Sequence, residues 1–210
     1  MMHKNYIWDL DGTIFDSYKG IIETAHILAK ENGFEFSKDE IYKKVVGDSV
    51  TSYIEQLSEL TKKPYKELKP RYSKIRKEIE KDLTSIDGAY EVLEELTNRG
   101  AKHYVYTHRG DTSYPLLKKL GMDKFFEEII TAEDGFKRKP DPEALTYLID
   151  KYDMDKNQTY YVGDRHLDVE CAKNAGIKAI FYIAEESFLE SKGQEDILVF
   201  RLKDILKFDE

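Results

Sequence analysis

Apolar and polar positions follow two different rhythms along this chain. Residues 5 to 10, Asn-Tyr-Ile-Trp-Asp-Leu, form a short strand-favouring run that stops at Asp11-Gly12-Thr13, where the glycine marks a turn. From about Tyr18 to Thr84 the period becomes helical, with apolar residues at Ile21, Ile22, Ala25, Ile27 and Leu28, and again at Ile54, Leu57 and Leu60. Internal stops divide this block into four helices: Gly33 follows the first, Ser37 with Glu40 three residues on is a capping box, and Pro64 opens the last.

After Ile86-Asp87-Gly88 helix and strand alternate. The pattern predicts a helix to Arg99, a strand from Ala101 to Thr107, a helix from Thr112 to Leu120 and a strand from Glu128 to Thr131. It continues with a helix from Pro142 to Tyr152, a strand from Thr159 to Gly163, a helix from Leu167 to Ala175 and a strand from Lys178 to Ile183, then a weaker strand and a short helix. Such alternation predicts an α/β fold with a doubly wound, Rossmann-like parallel-sheet core. The core is expected over residues 1–16 and 86–210, with an all-helical cap subdomain inserted over 17–85. An insertion directly after the first strand should overhang that strand's carboxyl end, and the two short crossings, near 16–18 and 85–88, are the candidate hinges.

Composition narrows the partners. At 210 residues there is room for one core and a subdomain, and no apolar run approaches the roughly 18 residues of a membrane span. No membrane partner is expected, and an amino terminus without a long apolar leader points to the cytoplasm. A net charge of −8, with basic stretches interleaved by Glu and Tyr, argues against a nucleic-acid partner. The single cysteine, Cys171, reads as a small buried thiol rather than a disulfide or zinc ligand. A monomer is expected.

The chemistry-bearing residues cluster just after predicted strands, where open α/β sheets bind ligands. Asp9-Leu10-Asp11-Gly12-Thr13 places two carboxylates at the first strand's exit, and Gly12 lets backbone N–H groups approach an anion. Thr107-His108-Arg109-Gly110 offers a hydroxyl and a glycine-bearing loop after the second strand, and Lys139-Pro140-Asp141-Pro142 precedes a helix. Gly163-Asp164-Arg165-His166-Leu167-Asp168 adds two further acids. Four acids together need a cation.

These motifs resemble, in order, those of the haloacid dehalogenase superfamily of phosphotransferases: D-x-D-G-T, a threonine after an apolar strand, K-P, and G-D-x-x-x-D. The resemblance covers the whole chain, because phosphoglycolate phosphatase-like members carry a helical type-1 cap between the first and second motifs. It implies a Mg²⁺-dependent phosphatase acting on a small phosphate ester, phosphoglycolate-like or a sugar phosphate. By resemblance Asp9 is the nucleophile that forms an aspartyl phosphate and binds Mg²⁺, and Asp11 is the general acid and base, its backbone carbonyl also on the metal. Thr107 and Lys139 hold the phosphoryl oxygens, Gly12 and His108 join the phosphate-binding group, Asp164 is the third metal ligand, and Asp168 orients the metal's waters.

Some positions depart from the family's pattern. His108 and Arg109 stand where asparagine or serine and then lysine are common, so either could touch substrate or face solvent. Asp87 replaces a frequent proline, and Trp8 replaces phenylalanine as core packing. Tyr42, Tyr53, Tyr65, Tyr72 and His26 could line a substrate pocket, although aromatic residues at helical spacing more often pack helices together. The same motifs serve sugar-phosphate mutases such as beta-phosphoglucomutase, which is the alternative reading. A noncatalytic binding module is a remote one, disfavoured by the presence of Asp11 and the large insertion.

Overall fold

A computed structural model describes residues 3–185 and 187–208. Six parallel strands form one sheet in the order β3-β2-β1-β4-β5-β6. They are β1 Asn5–Trp8, β2 Lys102–Tyr106, β3 Phe126–Ile130, β4 Thr159–Gly163, β5 Lys178–Tyr182 and β6 Ile197–Val199. The central strands are almost wholly apolar or aromatic because both faces are covered, as a parallel sheet requires. In register, Trp8 stands opposite Val105 of β2 and Val162 of β4. The strand order reverses at β1 and β4, so the crevice at their carboxyl ends is where this topology receives a ligand.

The chain divides into two compact units, one ending at Phe15 and resuming at Ser85, the other running Asp16–Thr84. In the α/β unit the connections are made by α5 (Ala89–Asn98), α6 (Ser113–Lys119), α7 (Glu143–Lys151) and α8 (His166–Ala175). Their apolar stripes pack Leu145, Leu148 and Ala172 against Ile7, Tyr104, Tyr161 and Phe181 of the sheet. Trp8 is fully buried, as its core role anticipates, and its indole N–H reaches His103 Nδ1 at 3.0 Å.

The other unit holds the four expected helices, α1 (Tyr18–Glu31), α2 (Lys38–Gly47), α3 (Val50–Thr61) and α4 (Tyr65–Ile79). Both halves of the Ser37–Glu40 capping box form, and Ser49 supplies a second cap by accepting from Ser52 N–H at 3.0 Å. Pro70 lies inside α4, where it has no N–H to return to the preceding turn. Tyr53 and Tyr72 are buried among Ala25, Leu28, Ile54 and Leu57, and the Tyr53 hydroxyl donates to the Ala25 carbonyl at 3.0 Å. Tyr65 packs half-buried on the same cluster, Tyr42 meets Tyr18 edge-on, and His26 Nδ1 lies 3.1 Å from the Phe36 carbonyl. Helix packing therefore accounts for these side chains. Among the described residues no helix is long and apolar enough to cross a membrane.

Candidate active site

Asp9 is the last residue of its segment held by the sheet, its N–H donating to the Val162 carbonyl at 2.9 Å. The chain then turns sharply. The Leu10 carbonyl accepts from the N–H groups of Thr13, Ile14 and Phe15, and Gly12 adopts φ 80°, a conformation natural to glycine. The Gly12 N–H donates to the Phe15 carbonyl at 3.0 Å, so what this geometry draws from Gly12 is the turn, and its own donor is already engaged.

Lys139 is the hub. Its ammonium group is buried 3.0 Å from Asp9 Oδ1 and 2.8 Å from Asp168 Oδ1, with the rings of Tyr106 and Tyr161 at 5.1 and 5.2 Å. The ammonium is thus within ion-pair distance of both carboxylates. Burial opposes the charged lysine, but Asp168 and Asp9 outweigh it and hold Lys139 protonated. The Asp9 carboxyl is pushed from 3.8 up to about 6, first by burial and then by the charges of Asp168 and Asp11, against the pull of Lys139. One cation shared between two acids leaves a deficit, and it falls on Asp9.

The position of Lys139 is fixed from its backbone. Its N–H donates to His108 Nε2 at 2.9 Å, which assigns the remaining ring proton to Nδ1. Burial, then the charges of Lys139, Arg138 and Arg165, depress the His108 pKa to about 2, so the ring stays neutral. The imidazole of His108 is thus engaged in holding the Lys139 loop.

Asp164 follows β4, and its Oδ1 accepts from the buried Thr13 hydroxyl at 3.2 Å. Asp168 sits in the first turn of α8, where Oδ1 also accepts from Tyr161 at 3.2 Å and Oδ2 from the Arg165 N–H at 3.1 Å. The fit is tight at Gly163: a Cβ there would lie 2.4 Å from the Asp168 side chain. Gly163→Ala is accordingly expected to displace Asp168 and cost about 1–3 kcal/mol in stability, read by denaturant titration. An unchanged midpoint would show that this contact gives way freely.

One carboxylate oxygen from each of Asp9, Asp164 and Asp168 lies within 4.8 Å of the others. All three are buried, and with Lys139 as the cation among them the group is short of positive charge. A divalent ion fits that shortage, and the hard oxygen donors suit Mg²⁺. The Asp11 carboxylate lies outside this group. It is turned to Arg109, whose guanidinium is buried, with Nε 3.1 Å from Asp11 Oδ1 and Nη2 on the same oxygen. The Arg109 N–H also donates to the Thr107 hydroxyl oxygen at 3.2 Å.

The structure thus gathers Asp9, Lys139, Asp164 and Asp168 directly, and ties Thr107 to Asp11 through Arg109. Sequence reasoning missed the second ranks: Thr13 behind Asp164, and Tyr106 and Tyr161 flanking Lys139. Thr13 lies in the first motif, which was a usable signal. The tyrosines read only as core residues of β2 and β4.

A sheet of this order, with a buried lysine among acids beyond the ends of β1 and β4, has the architecture of an α/β enzyme. Residues 6–182 match the family model described as haloacid dehalogenase-like hydrolase, and the chain belongs to that family. It is similar to the pyrophosphatase PpaX of Oceanobacillus iheyensis, 29% identical over 209 residues covering 98% of this chain and 96% of the relative. The PpaX of Bacillus velezensis is 27% identical over 95% of this chain and 93% of its own. Among solved structures, a predicted phosphoglycolate phosphatase from Haemophilus somnus shares the fold with a TM-score of 0.87 at 20% identity, covering 100% and 99% of the two chains.

Proposed function

We propose that this chain is a Mg²⁺-dependent phosphatase that passes a phosphoryl group from a small phosphate compound to Asp9 and then to water. The observation that carries the reading is the buried Asp9 carboxylate, with Lys139 Nζ 3.0 Å away and Asp164 and Asp168 oxygens within 4.8 Å. A carboxylate so placed is desolvated and oriented, and the lysine offsets its repulsion for an incoming phosphate.

In the first half-reaction an Asp9 oxygen forms a bond to phosphorus as the bond to the leaving oxygen breaks, and Asp11 gives that oxygen a proton. In the second, Asp11 takes a proton from water, the water oxygen attacks phosphorus, and Asp9 is released with inorganic phosphate. Lys139 and Thr107 hold the transferring oxygens throughout. Asp9, Asp164 and the Asp11 backbone carbonyl would hold Mg²⁺, which when bound supplies charge neutralisation for the phosphoryl group. Asp168, its oxygens engaged by Lys139, Tyr161 and Arg165, orients rather than ligates.

Similarity to pyrophosphatases puts inorganic pyrophosphate beside phosphoglycolate and sugar phosphates as the substrate class. The test is phosphate release from pyrophosphate and a panel of monoesters, with Mg²⁺ or with EDTA. Release that needs Mg²⁺ and disappears in EDTA is expected. Equal release in EDTA would sink the metal assignment, and interconversion of a sugar phosphate without net release would favour the mutase.

A further inference from the structure

Arg109 is fastened at both ends. Its backbone N–H donates to the Thr107 hydroxyl oxygen at 3.2 Å and its carbonyl accepts from the Ala132 N–H at 3.0 Å. At the far end Nε and Nη2 converge on Oδ1 of Asp11, Nη1 donates to the Thr112 hydroxyl at 3.2 Å, and the guanidinium lies 5.2 Å from the centre of the Phe15 ring. The side chain is 1% exposed, against 21% for Asp11, so a rigid buried group grips a more accessible one.

Ion pairs of this kind are poor sources of stability, because desolvating a guanidinium offsets most of the attraction. Their use lies in fixing geometry, and the planar fork of arginine fixes it better than a point charge. Asp11 stands outside the three-acid group, yet its charge raises the Asp9 pKa, so the pairing with Arg109 offsets that charge as well. The pairing further ties the orientation of the Asp11 carboxylate to the segment carrying Thr107.

We infer that Arg109 is a positioning residue for proton transfer: it fixes the Asp11 carboxylate in the orientation from which the leaving oxygen is protonated. This rests on the reading of Asp11 as the acid given above. Proton donation contributes about 10²- to 10⁴-fold to such reactions, and a misplacement of about 1 Å can cost on the order of 10²-fold. The loss should depend on the leaving group. A p-nitrophenolate ion departs without a proton, whereas an alkoxide does not.

The experiment compares kcat/KM for aryl and alkyl phosphates of graded leaving-group acidity, in Mg²⁺, for wild type, Arg109→Gln, Arg109→Lys and Asp11→Asn. This parameter covers only the steps up to leaving-group departure, so a common dephosphorylation step cannot mask the effect. Arg109→Gln is expected to lose under about threefold with p-nitrophenyl phosphate and on the order of 30-fold or more with an alkyl phosphate, with Arg109→Lys between it and wild type. Asp11→Asn should show the steepest dependence of all. If Asp11→Asn steepens the dependence but the Arg109 variants lower every substrate equally, Arg109 is merely structural and the inference is overturned while the acid role stands. If Asp11→Asn leaves the dependence unchanged, Asp11 is not the acid and the inference falls with that reading. Should Arg109→Gln fail to fold by circular dichroism, Arg109→Lys is judged by the same criterion.

Discussion

Asp9→Asn is expected to lower turnover by about 10⁵-fold, the scale seen when an enzyme's nucleophile is removed, while leaving the metal-free protein at least as stable as wild type. The two effects have one cause. Asp9 is buried near Asp168 and shares the Lys139 ammonium with it. With its pKa raised from 3.8 to about 6, the ionised carboxylate costs the fold on the order of 3 kcal/mol at pH 7. Because the folded state binds the proton more tightly than the unfolded one, wild type recovers this stability as pH falls through about 6, fully below 3.8. Melting in EDTA at pH 7 should therefore place Asp9→Asn level with or above wild type, with the gap closing towards acid. Phosphate release above about one hundredth of the wild-type rate would mean that phosphorus is attacked by another group. A variant that melts well below wild type in EDTA would mean that Asp9 holds the fold together, against the charge argument.

Much of this was legible in the sequence, and the reason is geometric. Asp9, Thr107 and Asp164 each fall one residue after a strand, so a change from strand period to turn locates them without any tertiary information. The four helices between Tyr18 and Ile79 were equally readable, because each carries a continuous apolar stripe and the Ser37 cap is local. Pairings across long separations were not. Arg109 and Asp11 lie 98 residues apart and Trp8 and His103 lie 95 apart, and nothing in either neighbourhood announces the partner. Arg109 on its own reads as one more charged loop residue, and only packing shows it buried over Phe15. His108 illustrates the same limit: the sequence left substrate contact and solvent both open, and only packing shows the ring buried, its pKa depressed to about 2 and Nε2 engaged by the Lys139 N–H.

Lys139→Met should be the most damaging single change to the resting protein, and its response to Mg²⁺ is the informative part. Methionine keeps most of the apolar stem but removes the ammonium that lies over Tyr106 and Tyr161 and that Asp9 and Asp168 share. Breaking a buried pair from one side costs about 3–5 kcal/mol, and here two carboxylates are left facing each other. Melting in EDTA at pH 7 should fall accordingly, and the loss should shrink as pH drops and the acids take up protons. Turnover should fall about 10²- to 10³-fold, as when one fixed donor to a developing oxyanion is removed. The ammonium and a divalent ion bound at this site would both neutralise the Asp9 charge, so deleting one should raise the site's demand for the other. Saturating Mg²⁺ should then raise the melting temperature of Lys139→Met more than that of wild type, even though activity stays lost. Equal shifts would show that lysine and metal act on separate charges, and the shared-carboxylate account of this site would have to be abandoned.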